Sequence, residues 1–314
     1  MSAATLLIGE SAARRLGFVR IVVCGFATAY VLVRSGHLLA VTDLPVQRFD
    51  PIGFVSVLEA PAQDFAVLVW VIATILAGIA ATLGWHHRFS GPAFAILLAW
   101  TLTYRLSWGQ VLHTENLMVM HIGVLGFTRS AVMASLDARR SEAAPDRETR
   151  PAWQHSWPLQ LMTLLTVLTY LVAGWAKIRN GGLDWLTGDV LRNQIALDNL
   201  RKLLLGDVHS AFGGWLTRYG WIFPPMAIAS MVIEVGALVA IPRTKLRMWW
   251  LASAWLFHVG VLALMAIVFP YQLFGLAFVS MVPLDLWFDS SRAWLRDRRP
   301  LSQRGRLPAL RQDL

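Results

Sequence analysis

Long runs of apolar residues alternate with short polar segments along most of this chain. Each run is about long enough to cross roughly 30 Å of hydrocarbon as a helix. The pattern predicts an all-α integral membrane protein, a bundle of about eight transmembrane helices. The apolar runs are 17–41, 65–85, 92–111, 116–134, 158–177, 221–241, 247–268 and 270–288.

The segment 183–220 is too polar to cross a membrane. Its apolar residues nevertheless fall near one helical face, with polar and basic residues largely elsewhere. This arrangement predicts an amphipathic helix over 186–205 that lies at the outer membrane surface. The apolar face consists of Leu186, Val190, Leu197, Leu200 and Leu204.

These segments predict a simple domain layout. Residues 1–16 form a cytoplasmic N-terminus, and residues 17–288 form the transmembrane bundle, which includes the outer segment 183–220. Residues 289–314 form a basic cytoplasmic tail. The segment 137–155 is rich in charged residues, alanine and proline, and is expected to be a flexible cytoplasmic loop.

The composition excludes several classes of protein. Hydrophobic residues make up 56% of the chain and charged residues 15%, which is untypical of a soluble domain. The single cysteine, Cys24, excludes an intramolecular disulfide and a thiol redox pair. The net charge of +9 does not indicate a nucleic-acid partner, because the basic residues lie in short loops and in the tail. Membrane lipids are the expected partners.

The basic loop residues also predict the orientation of the bundle. They all fall on one side of the membrane if about eight spans alternate, and basic loops are typical of the cytoplasmic side. We therefore expect a multi-pass protein of the inner (plasma) membrane with both termini in the cytoplasm. The loop residues concerned are Arg14, Arg15, Arg88, Arg129, Arg139, Arg140, Arg243, Lys245 and Arg247.

Lys177 lies at the outer end of the fifth run, where a charge is unusual. Tyr170, Gly174 and Lys177 share one helical face, and the small residues around Gly174 let a neighbouring helix come close. A lysine held on a partly dry face could act as a base, because burial disfavours its charged form. The alternative is a lysine that extends to the membrane interface and only marks the helix end.

His113, Glu115 and His121 form a second polar set at the start of the fourth run. Their spacing matches no zinc signature, so we expect no metal here. A structural pair or a proton-handling histidine fits better.

Three more polar residues lie in apolar surroundings. Glu234 is about 13 residues, roughly 20 Å, below the outer end of the sixth span, a depth that argues against direct contact with Lys177. It could serve structure or function equally well. His258 lies near the middle of the seventh span, where it could share a cavity with Lys177 and His113. Arg34, late in the first run, is expected near the outer side.

Several of these stretches resemble a known family. They are Trp108-x4-His113-x-Glu115-x-Leu117, the segment 170–188 with its Ala-Gly-x2-Lys and Trp-x2-Gly, Glu234, and Phe257-His258. Over most of residues 14–288 the chain resembles the horizontally transferred transmembrane domain (HTTM) proteins. It also resembles the membrane region of the vitamin K-dependent gamma-glutamyl carboxylase.

The resemblance implies a helical bundle whose active site opens to the outer side. It implies a reduced quinone as cofactor, either vitamin K hydroquinone or menaquinol. Lys177 would then deprotonate the quinol, and His113 and His258 would assist around the same cavity. Tyr170, Gly174 and Trp185 are the corresponding candidates for cofactor binding.

Two departures separate the chain from the carboxylase. That enzyme has a double lysine where this chain has Ala176 and Lys177, and it has a large lumenal domain after the bundle. Both differences count against gamma-carboxylation of a protein substrate.

Two functions therefore remain in competition. The first is a quinol-binding enzyme that acts on a peptide or small molecule at the outer side. The second is a non-enzymatic membrane factor for the maturation, export or immunity of a peptide, as in the sporulation-delaying system. An enzyme should keep Lys177, His113 and His258 around one quinone-sized cavity, whereas a peptide factor can fill that space with side chains.

The orientation predicts the labelling of cysteines placed in the loops. In a Cys24→Ser background, a cysteine at Ser141 or at Ser302 should react with a membrane-impermeant maleimide only after the cells are opened. Labelling of either position in intact cells would contradict the orientation.

Overall fold

The helices of this computed structural model follow most of the apolar runs. The structure describes residues 12–109, 111–140, 153–242 and 244–284, and no strand occurs within them. The labelling positions 141 and 302, the tail 289–314 and most of the loop 137–155 lie outside the described residues. The helices are α1 (Ala12–Val33), α2 (Ser35–Leu39), α3 (Asp64–Leu83), α4 (His87–Leu106), α5 (Asn116–Gly126), α6 (Leu136–Arg140), α7 (Trp153–Gly181), α8 (Asp189–Leu204), α9 (Ala211–Leu216), α10 (Phe223–Val235), α11 (Lys245–Met265) and α12 (Pro270–Leu273).

Five segments of the described chain are helical, long and apolar enough to cross a membrane. They are Ala13–Val33, Asp64–Leu83, Trp153–Trp185, Gly220–Ala240 and Lys245–Met265. The chain is thus an all-helical protein with several apolar spans. The expected count of about eight is not confirmed.

Three of the predicted runs differ from the helices found. α4 begins five positions before the predicted 92, because the Asp137 carboxylate accepts hydrogen bonds from the backbone N–H groups of His86 and His87, both at 2.8 Å. α5 has only 11 residues, ending at Gly126 instead of 134. The run 270–288 forms α12, a turn at Gly275 with φ of +75°, and a 3-10 helix over Leu276–Met281.

α1 lies in the middle of the bundle and packs against α3, α5 and α7. Its buried positions recur every three or four residues, as expected for one face of a helix. They are Leu16, Val19, Val23, Ala27 and Val31, each 0–1% exposed.

The outward faces of the bundle are apolar as well. Phe65, Val172 and Trp249 are each at least 65% exposed, and all three lie on the long apolar helices. Helices that are apolar on every side are typical of membrane spans.

Arg20 is a fully buried charge in α1 that binds backbone carbonyl groups. Its guanidinium donates to the carbonyl oxygens of Ala81 and Thr82 at the end of α3, at 2.6 and 2.5 Å. It also donates to those of Ser130 and Ala134, at 3.2 and 2.6 Å, in the loop after α5. This one side chain therefore supplies donors to carbonyl groups of the helix end and of the loop, of which Ala81 also accepts from the Gly84 N–H.

The segment between α7 and α10 does contain a helix close to the predicted 186–205. α8 packs on the bundle through Ile195 and Asn199, and the Asn199 side chain donates to the Leu264 carbonyl oxygen at 2.8 Å. Leu197, Leu200 and Leu204 are more than half exposed on the other side of the helix. Three leucines of the predicted apolar face are thus turned away from the protein, whereas Val190 of that face lines a cavity, and the position at a membrane surface stays a prediction.

Replacing Arg20 should destabilise the bundle. In Arg20→Leu, carbonyl groups of α3 and of the loop after α5 lose their donors inside the protein, and each unsatisfied group costs about 1–3 kcal/mol. We expect the free energy of unfolding in mixed micelles to fall by about 3 kcal/mol or more. Arg88→Leu, at an exposed arginine, is the matched control and should change it by less than about 1 kcal/mol. Equal losses in the two variants would contradict the role of Arg20.

Candidate functional site: a cavity around Lys177

A cavity of about 720 Å³ lies between the last turns of α7, the end of α10, the second half of α11 and the segment that leads into α12. α8 and the 3-10 turn Gly182–Trp185 contribute to its walls. Its volume is in the range of small-molecule sites. The lining residues are His113, Leu117, Thr169, Tyr170, Ala173, Ala176, Lys177, Asn180, Gly181, Asp184, Trp185, Val190, Gln194, Glu234, Phe257, His258, Val261, Ile267, Phe269 and Gln272.

Lys177 forms an ion pair with Glu234 inside this cavity. The Lys177 ammonium Nζ donates to Glu234 Oε1 at 2.5 Å. Glu234 is 3% exposed, whereas about a fifth of the Lys177 side chain is accessible. Lys177 therefore does not simply extend to the membrane interface, because its amine is held against a buried carboxylate.

Two aromatic rings complete the surroundings of the amine. Nζ lies 4.9 Å from the centroid of the Trp185 ring and 5.5 Å from that of Phe257. Both distances are within the range of a cation–π contact. Trp185 is itself buried, and its indole N–H donates to Ser230 Oγ of α10 at 3.4 Å. The amine is thus held from three directions.

The contact between Lys177 and Glu234 corrects our expectation that Glu234 lies too deep. The start of α10 packs against Gly188, which lies well past the end of α7 at Gly181. α7 also continues one turn beyond Lys177. The upper part of α10 therefore extends past the end of α7, and a residue about 11 positions, roughly 16 Å, along α10 reaches the level of Lys177.

Gly174 contacts a neighbouring helix and does not line the cavity, where we expected it to contact the cofactor. It is not among the residues that line the cavity, and it packs against α10 instead. A Cβ added at Gly174 would lie 3.1 Å from the Glu234 Cβ and 3.0 Å from a methyl carbon of Val235. The expected close approach of a neighbouring helix is therefore observed. It places Glu234 beside α7 one turn before Lys177.

His258 and Tyr170 meet in another part of the cavity lining. The Tyr170 hydroxyl is 2.8 Å from His258 Nε2. The Phe269 ring lies next to both histidines, with its centroid 5.0 Å from the His258 ring and 5.6 Å from the His113 ring. His258 is buried, whereas His113 is exposed in the loop before α5. Lys177, His113, His258, Tyr170 and Trp185, all predicted from the sequence, thus share one cavity.

Three predicted polar residues lie elsewhere. Glu115 accepts hydrogen bonds from the Tyr30 hydroxyl at 2.5 Å and from the Arg105 guanidinium at 2.9 Å. His121 is fully buried, with Nδ1 2.7 Å from the Tyr271 hydroxyl. These networks join helices of the bundle, which explains both residues without a ligand.

Arg34 likewise stays outside the cavity, with its guanidinium 5.5 Å from the centroid of the Tyr30 ring. Among the described residues, no group of three or more His, Cys, Asp and Glu side chains is arranged to hold a metal ion.

Gln272 is a cavity residue that the sequence analysis missed. It is 5% exposed and lies in α12, within a run that was read only as a span. A buried glutamine in an apolar run is itself a signal of a polar site, because its amide must be satisfied. Among the described residues, Gln272 Oε1, Glu234 Oε2 and His258 Nδ1 have no hydrogen-bond partner. All three belong to residues that line the same cavity.

Comparisons with known proteins place the chain in a family. No curated protein and no solved structure matches it. The family model of the HTTM domain matches residues 11–287, which include all the described helices. The chain therefore belongs to the HTTM domain family.

Proposed function

We propose that this protein is a membrane enzyme that binds a reduced quinone in the cavity around Lys177. Lys177 is the base that takes a proton from a hydroxyl group of the quinol. The reaction serves a peptide or small-molecule substrate on the outer side of the membrane. The observation that carries the proposal is that one cavity of about 720 Å³ brings together Lys177, His113 and His258.

The walls of the cavity suit a flat, hydroxylated ring. Trp185, Phe257 and Phe269 provide aromatic faces and edges against which a ring can pack. The buried oxygens Glu234 Oε2 and Gln272 Oε1 have no partner among the described residues, and a ligand that donates hydrogen bonds would satisfy them. A quinol donates through its hydroxyl groups, whereas the oxidised quinone can only accept. The chemistry of the site thus favours the reduced form.

The residues that line the cavity have different roles in the proposed reaction. A base must lie within hydrogen-bond reach of the proton that it removes, and the Lys177 amine is accessible from the cavity. Tyr170 and His258 form a hydrogen-bonded pair that also lines the cavity and can orient a polar group of the ligand. A bound quinol supplies an ionisable hydroxyl and two electrons. Asn180, Asp184 and Gln194 add polar groups to the lining, where a second, polar substrate can bind.

The competing function, a factor without catalysis for peptide maturation, export or immunity, has less support. Such a protein has no need of an open space around Lys177. The described side chains instead leave a cavity of ligand size there, and they hold the lysine in one position.

We further propose that the cavity faces the outer side of the inner membrane and that both termini are cytoplasmic. The alternation of basic loops supports this orientation. The exposed leucines of α8 support a position of that helix in the outer leaflet, next to the cavity that Val190 and Gln194 help to line. Counting α4, α5 and the segment from 270 onward with the five long spans gives the proposed bundle of about eight crossings.

Mass spectrometry of lipids that co-purify with the protein is the first experiment. A menaquinone or related isoprenoid quinone should be enriched over its share of the membrane extract. The same enrichment in a preparation of an unrelated membrane protein would remove the support of this result.

Replacing Lys177 should weaken quinol binding. In nanodiscs under anaerobic reducing conditions, we expect Lys177→Met to bind menaquinol at least about tenfold more weakly, the loss of about 1.4 kcal/mol that one charge-assisted hydrogen bond can supply. Arg179→Met, at an exposed cation of the same helix, is the matched control and should bind like the wild type.

Because Lys177→Met leaves Glu234 without its cation, the double variant Lys177→Met, Glu234→Gln should recover thermal stability. It should still bind menaquinol weakly. Wild-type affinity in both variants, or a wild-type protein that binds quinone and quinol equally, would contradict the proposed function.

A further inference from the structure

A lysine that is held in an ion pair cannot act as a base, because its nitrogen has no free electron pair while it carries three protons. Lys177 is in this position, since its ammonium donates to Glu234 Oε1 at 2.5 Å. The contact that positions the amine would also block it. The proposed function, on which this inference rests, therefore needs a way to free the amine inside the protein.

We propose that Lys177 and Glu234 work as one acid–base unit, in which Glu234 holds the proton that frees the Lys177 amine. The pair then exists in two forms with the same number of protons. One form is the ammonium with the carboxylate, and the other is the amine with the carboxylic acid. The proton on Glu234 acts on the ligand through Lys177, so in the proton transfer Glu234 is a positioning residue.

The surroundings of the two groups bring these forms close in free energy. Glu234 is 3% exposed, and Oε2 has no partner among the described residues, so burial penalises the carboxylate strongly. The rings of Trp185 and Phe257 favour the ammonium, at 4.9 and 5.5 Å from Nζ. Burial of the acid and the cation–π contacts thus act in opposite directions. A proton can move along a contact of 2.5 Å without any rearrangement of the helices.

The geometry keeps the two groups at this distance. A Cβ added at Gly174 would lie only 3.1 Å from the Glu234 Cβ. α7 and α10 are therefore in direct contact one turn before Lys177. Trp185, which covers the amine, is itself bonded to Ser230 of α10. The pair is therefore part of a packed helix interface and not a loose surface contact.

The proton balance of the step is simple. The proton first moves from Lys177 Nζ to Glu234 Oε1, which breaks one N–H bond and forms one O–H bond. The free electron pair of Nζ then takes the proton of the ligand hydroxyl, and the electron pair of that O–H bond stays on the ligand oxygen. No electron leaves the site and no oxidant is used. The negative charge on the ligand oxygen faces a new ammonium, while Glu234 stays neutral.

Other titratable groups face the pair from the neighbouring elements. Asp184 comes from the 3-10 turn after α7, His258 from α11 and His113 from the loop before α5. Tyr170 lies on α7 itself, where it is bonded to His258. Among the described residues, none of these four has a recorded hydrogen bond or ion pair with Lys177 or Glu234. They change the field at the pair, but they do not replace either partner.

Infrared spectroscopy of the ligand-free protein tests the proposal directly. A protonated carboxyl group absorbs at a C=O stretch separate from that of a carboxylate. In Lys177→Met the buried Glu234 has lost its cation and should be fully protonated, which calibrates the signal. We expect the wild type at pH 7 to show at least about a tenth of this amplitude, corresponding to forms within about tenfold of each other. Glu234→Gln should abolish it.

Three controls assign the signal. Asp184→Asn removes a carboxylate from the same cavity and should leave the band present, with only its amplitude open to change through the altered field. Wild-type protein grown with glutamate labelled with ¹³C at the side-chain carboxyl should show the band at a lower frequency, which assigns the band to a glutamate, while Glu115→Gln should leave it in place. A wild-type protein without the band, or with a band that persists in folded Glu234→Gln, would overturn the shared proton.

The result separates this inference from the proposed function. A protein that shows the band but binds no menaquinol would overturn the proposed function alone. A protein that binds menaquinol through Lys177 but keeps Glu234 fully ionised would overturn the acid–base unit alone.

Discussion

A polar side chain inside this bundle must be satisfied by another part of the protein, because hydrocarbon offers it no partner. Arg20 meets this constraint with the carbonyl groups of a helix end and a loop, and so ties α1 to both. Lys177 and Glu234 meet it with each other and tie α7 to α10. The first arrangement holds the end of α3 and the loop after α5 against α1. The second brings an amine and an acid to the wall of a cavity.

Several polar groups that line the cavity lack hydrogen-bond partners among the described residues, and this makes the cavity suitable for a polar ligand. Networks around Glu115 and His121 use their hydrogen-bonding groups within the bundle, and neither residue lines the cavity. Around Lys177, by contrast, Glu234 Oε2 and Gln272 Oε1 have no hydrogen-bond partner among the described residues. Buried unpaired groups are costly, so a site that contains several of them is suited to a ligand that supplies the missing donors.

The sequence predicted the helical class, the helix that ends near Lys177 and five of the residues that line the cavity. These features are local or follow from composition, since apolar runs reveal spans and a lone charge reveals a site. Depth was harder to predict. Glu234 was placed too far from Lys177, because the relative height of α7 and α10 depends on the packing of Gly188 against the start of α10. The two segments in contact are far apart in the sequence, so the sequence alone does not predict how far one helix is shifted along the other.

The apolar runs also did not predict where some helices begin and end. α4 starts early because Asp137, about 50 positions away, binds its first N–H groups. The last run looked like a span by its residues, yet Gly275 turns the chain within it. Gln272 escaped notice because one amide in an apolar run does not change the hydropathy of the run.

The contact at Gly174 has a consequence for the evolution of the family. An alanine there would push against the Cβ of Glu234 and against Val235, atoms that stay beside α7 whatever side chain stands at the acid position. A relative that loses the acid therefore still needs a small residue on α7, and a relative that gains a larger residue must move the two helices apart. The small residue should therefore persist in relatives that lack the acid, as long as the two helices stay this close.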